Sequence, residues 1–292
     1  MELIQIIKSN DKIALTEILN NCDLNCQDVY SKTPLMIAIT NRCIPIIKIL
    51  LKNKVDTEIK DKEGNTALII ASQHKTSVRI INLLLKAGCN KDAVNKYGNT
   101  ALISASRNSL KKNVERLLQA GCDMEIKNNH EKTALLVCCY NRHLEIVKLL
   151  LKAGCNKNVQ DINGNTALIR AIHTNQQKLV EVLLENGCNV EIRNRFSNTA
   201  FMIAVDHNKL NIAKLLLKAG CDKEVKNING HTPFLNCIML RRKGILKILL
   251  EAGCVKENKE TILKFMHRHS CDKIIEIINN FYNFKIYAHA FM

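Results

Sequence analysis

Residues 161 to 194 read DINGNTALIRAIHTNQQKLVEVLLENGCNVEIRN, and their apolar positions gather in two short clusters. Leu168, Ile169 and Ala171 form the first, and Leu179, Val180, Leu183 and Leu184 the second. Both show the three-to-four-residue recurrence of an amphipathic helix, not the alternation of a strand. The ends are marked as well. Asp161-Ile162-Asn163-Gly164 is a turn signal, with glycine supplying a conformation that other residues resist. Thr166 stands where a hydroxyl caps the first helix, and Gly187 where a left-handed residue closes the second. The stretch predicts turn, helix, helix, turn.

The same pattern returns along the chain. A threonine followed by apolar residues recurs at Thr33, Thr66, Thr100, Thr133, Thr166, Thr199 and Thr232, and a Gly-Cys pair keeps step from Gly88/Cys89 to Gly253/Cys254. Pro34 and Pro233 follow their threonines at the first helical position, where no amide donor is needed. The interval is 33 residues except between Thr66 and Thr100; the extra residue is expected near His74 to Ser77, in a loop between two helices. A helix pair this short cannot bury its apolar face alone, so neighbouring copies must stack. The prediction is an all-α solenoid of helix-turn-helix units with short β-turn tips. Residues 1–27 and 260–280 carry amphipathic segments without the turn signature and read as degenerate capping repeats around a full set at 28–259.

The segments TPLMIA at 33 to 38, TALIIA at 66 to 71, TALISA at 100 to 105 and TPFLNC at 232 to 237 resemble ankyrin repeats in period and pattern. Seven full copies span 28–259. Two departures stand out. The family's histidine after T-P-L is replaced in every copy, by Met36, Ile69, Ile103, Leu136, Ile169, Met202 and Leu235, so apolar packing is expected in its place. Its Gly-Ala-Asp has become Gly-Cys-Asn or Gly-Cys-Asp. The resemblance implies a non-enzymatic module that binds a partner protein through turn tips and first helices.

Thirteen cysteines, an odd count with no recognisable export signal, favour reduced thiols in an intracellular setting, cytoplasmic or the interior of a host cell. Equivalent residues of stacked helices lie ~8–10 Å apart. A disulfide needs Cα atoms within ~7 Å, and a shared zinc needs each sulfur within ~2.3 Å of the metal. One cysteine per repeat is therefore expected to act as a small buried apolar residue. Cys22/Cys26, Cys138-Cys139 and the set His267, His269 and Cys271 lack the paired spacing of a zinc motif, so no metal or other cofactor is expected. No phosphate loop, H-E-x-x-H helix or G-x-S-x-G elbow occurs, which removes the common enzyme classes. No apolar run reaches the ~18 residues of a membrane span.

The net charge of +16 raises an alternative, a basic surface binding nucleic acid or another polyanion, although the lysines are dispersed. By the resemblance, the tips carry Val29/Tyr30, Lys62/Glu63, Lys96/Tyr97, Asn129/His130, Ile162/Asn163, Arg195/Phe196 and Ile228/Asn229. Aromatic and arginine side chains dominate interface hot spots, which singles out Tyr97, Arg107, Tyr140, His173, Arg195 and Phe196 as partner-binding candidates. The aromatic tail at 281–292 reads as a lid on the end repeat or as a segment recruiting a second factor. The chain is expected to be a monomer.

Overall fold

A computed structural model describes residues 2–9, 11–18, 22–75 and 77–253. The expected cap at 260–280, the tail at 281–292, Cys254 and the His267, His269 and Cys271 set lie outside them. Among the described residues the regular structure is entirely helical.

Two compact units divide between Asn156 and Lys157. The first opens with α1 (Glu2–Lys8) and α2 (Lys12–Ile18), then pairs α3 (Pro34–Thr40) with α4 (Ile44–Lys52) and α5 (Ala67–Ser72) with α6 (Val78–Lys86). It continues with α7 (Ala101–Arg107) and α8 (Lys111–Gln119), then α9 (Ala134–Asn141) and α10 (Leu144–Lys152). The second holds α11 (Ala167–His173) with α12 (Gln177–Glu185), α13 (Ala200–Asp206) with α14 (Leu210–Lys218), and α15 (Pro233–Met239) with α16 (Lys243–Glu251). Within each unit first helices pack on first helices and second on second, as in α5 on α7 and α12 on α14. The extra residue falls where expected: α5 stops at Ser72 and α6 starts at Val78, a longer link than 108–110 between α7 and α8.

Each first helix starts at its threonine for one reason. The hydroxyl oxygen accepts the amide three residues on, at 3.1 Å from Ile103 to Thr100 and 3.3 Å from Ile169 to Thr166, which satisfies an amide that the helix leaves over. The residues replacing the family histidine pack inward: Met36, Ile69, Ile103, Leu136, Ile169 and Met202 are buried, and only Leu235 is partly open. Ile146, Val147 and Leu150 of α10, and Leu179, Val180 and Leu183 of α12, bury one face of each second helix. Polar residues are left on the other.

Candidate functional site

Each tip is an Asx turn tied to its neighbour. Asn95 Oδ1 accepts the amides of Tyr97 and Asn99, both at 3.0 Å. The next tip then docks: the Asn129 amide donates to the Tyr97 carbonyl at 3.0 Å, and Asn129 Nδ2 to the Lys96 carbonyl at 2.9 Å. Beneath them runs a ladder of buried amides, Asn95 Nδ2 to Asn65 Oδ1 at 2.8 Å and Asn128 Nδ2 to Asn99 Oδ1 at 3.0 Å. The second unit repeats it from Asn194 Nδ2 to Asn165 Oδ1 at 3.2 Å. These bonds hold the tip backbones and leave the apex side chains outward.

In the first unit, Tyr97 is half exposed and its hydroxyl donates to Glu63 Oε2 at 2.7 Å. Lys96 Nζ lies 2.5 Å from the same carboxylate and 5.2 Å from the Tyr97 ring centre. The Lys96 ammonium, then the Tyr97 hydroxyl, hold the Glu63 carboxyl below its ordinary range. Arg107, the last residue of α7, is exposed, and its Nη2 makes one long bond to Asn99 Oδ1 at 3.4 Å. The structure therefore brings Tyr97 and Arg107 to the lining of one depression of about 350 Å³. Tyr140 stands on α9, exposed, with Lys132 Nζ 4.4 Å from its ring centre.

In the second unit, Phe196 is 62% exposed at its tip, while its carbonyl accepts the Ile228 amide at 3.2 Å. Arg195 is exposed beside it, its amide donating to the Asn163 carbonyl at 3.1 Å. His173 ends α11 and meets His207 edge to face, with ring centres 5.0 Å apart. Desolvation, then the His207 and Arg170 charges, push the His173 pKa below its ordinary value. The shortlist thus falls into two sets, Tyr97, Arg107 and Tyr140 in one unit and His173, Arg195 and Phe196 in the other.

Tyr30 and Ile228, known only as tip positions from the sequence, are 65% and 68% exposed, more open than the shortlisted Tyr97, Tyr140 and Phe196. Tyr30 faces a depression of about 450 Å³ with Ile37 and Thr40. Their tip register was the available signal. No sequence signal pointed to the buried ion pair of Arg170 with Asp161.

The Gly-Cys turn has the opposite character. Gly88, Gly121, Gly154, Gly187 and Gly220 all have positive φ, between 68° and 85°. In each, the cysteine amide returns to the carbonyl five residues back, as from Cys155 to Leu150 at 3.2 Å, while the glycine amide reaches the carbonyl three back. This is a Schellman helix end, with cysteine where an apolar contact is usual. Lysines add a cross-repeat clasp: Lys91 Nζ donates to the Ala120 carbonyl at 3.2 Å, and Lys157 and Lys223 do the same to Asn186 and Ala252. Cys89, Cys122, Cys155, Cys188 and Cys221 are buried. Burial pushes the Cys89 thiol up to about 12 and those of Cys122 and Cys188 up to about 11. They stay protonated at neutral pH, and a protonated thiol is neither the metal ligand nor the nucleophile. Among the described residues, no three His, Cys, Asp or Glu side chains converge as metal ligands, and no helix is long and apolar enough to cross a membrane.

The family model for ankyrin repeats (3 copies) matches in overlapping segments at 3–95, 54–128, 75–161, 110–194, 155–227 and 186–260, taking in the degenerate N-terminal unit as well as the full repeats. No curated protein matches. Among solved structures, the chain is similar to the ankyrin repeat domain of Bcl-3, described as a unique member of the IkappaB protein family. The identity is 27% and the TM-score 0.70, over 75% of this chain and 98% of that one. Period, capping threonines, left-handed helix ends and stacked helix pairs agree with that match: this chain belongs to the ankyrin-repeat family.

Proposed function

We propose that this chain is a non-enzymatic interaction module that docks a partner protein on its turn tips and first helices. One observation carries the reading. Among the described residues, the large apolar side chains left exposed are Ile13, Val29, Tyr30, Val94, Tyr97, Tyr140, Ile162, Phe196 and Ile228. Six of these (Val29, Tyr30, Tyr97, Ile162, Phe196 and Ile228) occupy tip positions, and Tyr140 occupies a first helix. Ile13 lies on α2, and none of the others lies on α4, α6, α8, α10, α12, α14 or α16. Exposed aromatic and apolar groups gathered at one kind of position, on a backbone already satisfied, fit an interface. Free, buried thiols fit a reducing compartment, which supports an intracellular setting, the chain's own cell or one that receives it.

The test is affinity capture with mass spectrometry, comparing wild type with the combined Tyr97→Ala, Arg107→Ala and Phe196→Ala variant. Loss of the specific partner supports docking at the tips. Full retention refutes it.

A second reading, polyanion binding, draws on the outer helices of the first unit. On α4, α6, α8 and α10, Lys48, Lys52, Arg79, Lys86, Lys111, Lys112, Arg116, Lys148 and Lys152 stand against two acidic residues, Glu115 and Glu145. Binding to duplex DNA that falls steeply with salt and ignores sequence would favour it.

A further inference from the structure

We propose that the depression between Tyr97 and Arg107 receives one carboxylate, from an aspartate or glutamate side chain of the docking protein. This rests on the docking reading above and adds the chemistry of the contact. Two ionised residues line the depression, Glu63 and Arg107. Glu63 is already matched, with Lys96 Nζ at 2.5 Å and the Tyr97 hydroxyl at 2.7 Å on the same oxygen. Arg107 is not: its only side-chain hydrogen bond is the 3.4 Å contact to Asn99 Oδ1, and no ion pair joins it among the described residues. A guanidinium carries five donors in a planar fork suited to a carboxylate, and this one uses a single donor at long range.

The surplus is one positive charge, and that selects the ligand. A phosphomonoester brings about −1.5 to −2, and a nucleic-acid strand brings one charge for every phosphate in a row, so either would leave uncompensated negative charge beside the Glu63 carboxylate. A single carboxylate does. The rim supplies the remainder of a peptide site: Gln73 and Asn108 are exposed amides, and Asn108 Nδ2 makes only a 3.4 Å bond to the Gln73 carbonyl. The half-exposed Tyr97 ring offers an apolar wall. The site is single. The positions equivalent to Arg107 are Thr40, Gln73, Tyr140, His173, Asp206 and Met239, none of which is a guanidinium.

The experiment is an NMR titration of the full chain with three probe peptides. They are acetyl-Ala-Glu-Ala-amide, its Gln counterpart with an amidated end, and that Gln peptide with a free carboxyl terminus. Amide shifts at Asn99, Arg107 and Asn108 should appear with the glutamate peptide and be at least several-fold weaker with the other two. Arg107→Gln should abolish them, and Arg107→Lys, which keeps charge but loses the fork, should weaken them. Arg107 is exposed, so an unchanged melting temperature certifies both variants as folded. Equal shifts from the Glu and amidated Gln peptides, shifts from neither, shifts only from the free terminus, or shifts surviving in Arg107→Gln each overturn the inference. Failure here with capture still lost in the tip variant leaves docking intact and removes only the carboxylate. Retained capture in that variant removes the docking reading itself.

Discussion

Besides the left-handed residue in most inter-helix links, such as Arg142, every full repeat uses one at its tip and one at its second-helix end, and these two differ in what that residue faces. At Gly154, φ is +85° and a Cβ would meet nothing within 4 Å; at Gly98, φ is +72° and a Cβ would lie 2.8 Å from the Asn129 amide nitrogen. The Gly-Cys turn is fixed by its own helix end, a local requirement that six repeats meet with the same two residues and the first meets with Lys54 and Val55. The tip is fixed by the neighbouring tip, through backbone and buried amides and, at Lys96, Tyr97 and Asn129, through apex side chains as well, so the fold leaves exposed apex residues such as Phe196 to vary. Uniform sequence therefore marks the turn that builds the stack, and varied sequence marks the turn free to recognise something.

That contrast can be broken by degrees. The largest effect is collective. A thiol whose folded pKa lies above its ordinary value near 9 stays protonated in the fold while the unfolded chain ionises, so stability is complete below pH 9 and falls as pH rises toward 11 and 12. The thermal midpoint should drop over that window, and less steeply in a variant combining Cys89→Ala, Cys122→Ala and Cys188→Ala. An equal drop in that variant would show that the thiols are not the cause.

Gly98→Ala should come next. It combines the left-handed penalty of about 1–2 kcal/mol with overpacking of about 1–3 kcal/mol against a neighbouring backbone, whereas Gly154→Ala should show only the first. Denaturant midpoints separate the two, and equal losses would erase the distinction between the turns. Cys155→Leu should then cost about 1–3 kcal/mol by crowding, with Cys155→Ala milder. Should Cys155→Ala unfold the chain or release bound metal, the space-filling role of the thiol is wrong. The smallest effect is a gain. Arg142 caps α9 with φ +66°, a position that glycine adopts freely, so Arg142→Gly should add up to about 1 kcal/mol, read in the same unfolding curves.

What the sequence made legible was what repeats. Thr166 and its six counterparts announce helix starts because one hydroxyl reaching one amide is a local event, and the Gly-Cys pair announces helix ends for the same reason. Contacts that pair residues about thirty apart were hidden, since both members look ordinary alone. Asn95 with Asn65, and Lys91 with the Ala120 carbonyl, are such cases. Ser31, Glu131 and Ser197 take the left-handed tip conformation that glycine takes elsewhere, and nothing local marks them. The candidate surface was legible as a set of positions, because the register assigns tips and first helices. Its chemistry was not: the matched Glu63 and the unmatched Arg107 are distinguished only by their neighbours in three dimensions.

The central claim is that recognition belongs to the tips and architecture to the Gly-Cys turns. One quantitative capture experiment tests it, with three baits: wild type, the Tyr97→Ala, Arg107→Ala and Phe196→Ala variant, and the Cys89→Ala, Cys122→Ala and Cys188→Ala variant. The account predicts that the second bait loses the specific partner and the third keeps it. Partner loss in the cysteine variant, with retention in the tip variant and both proteins folded, would contradict it.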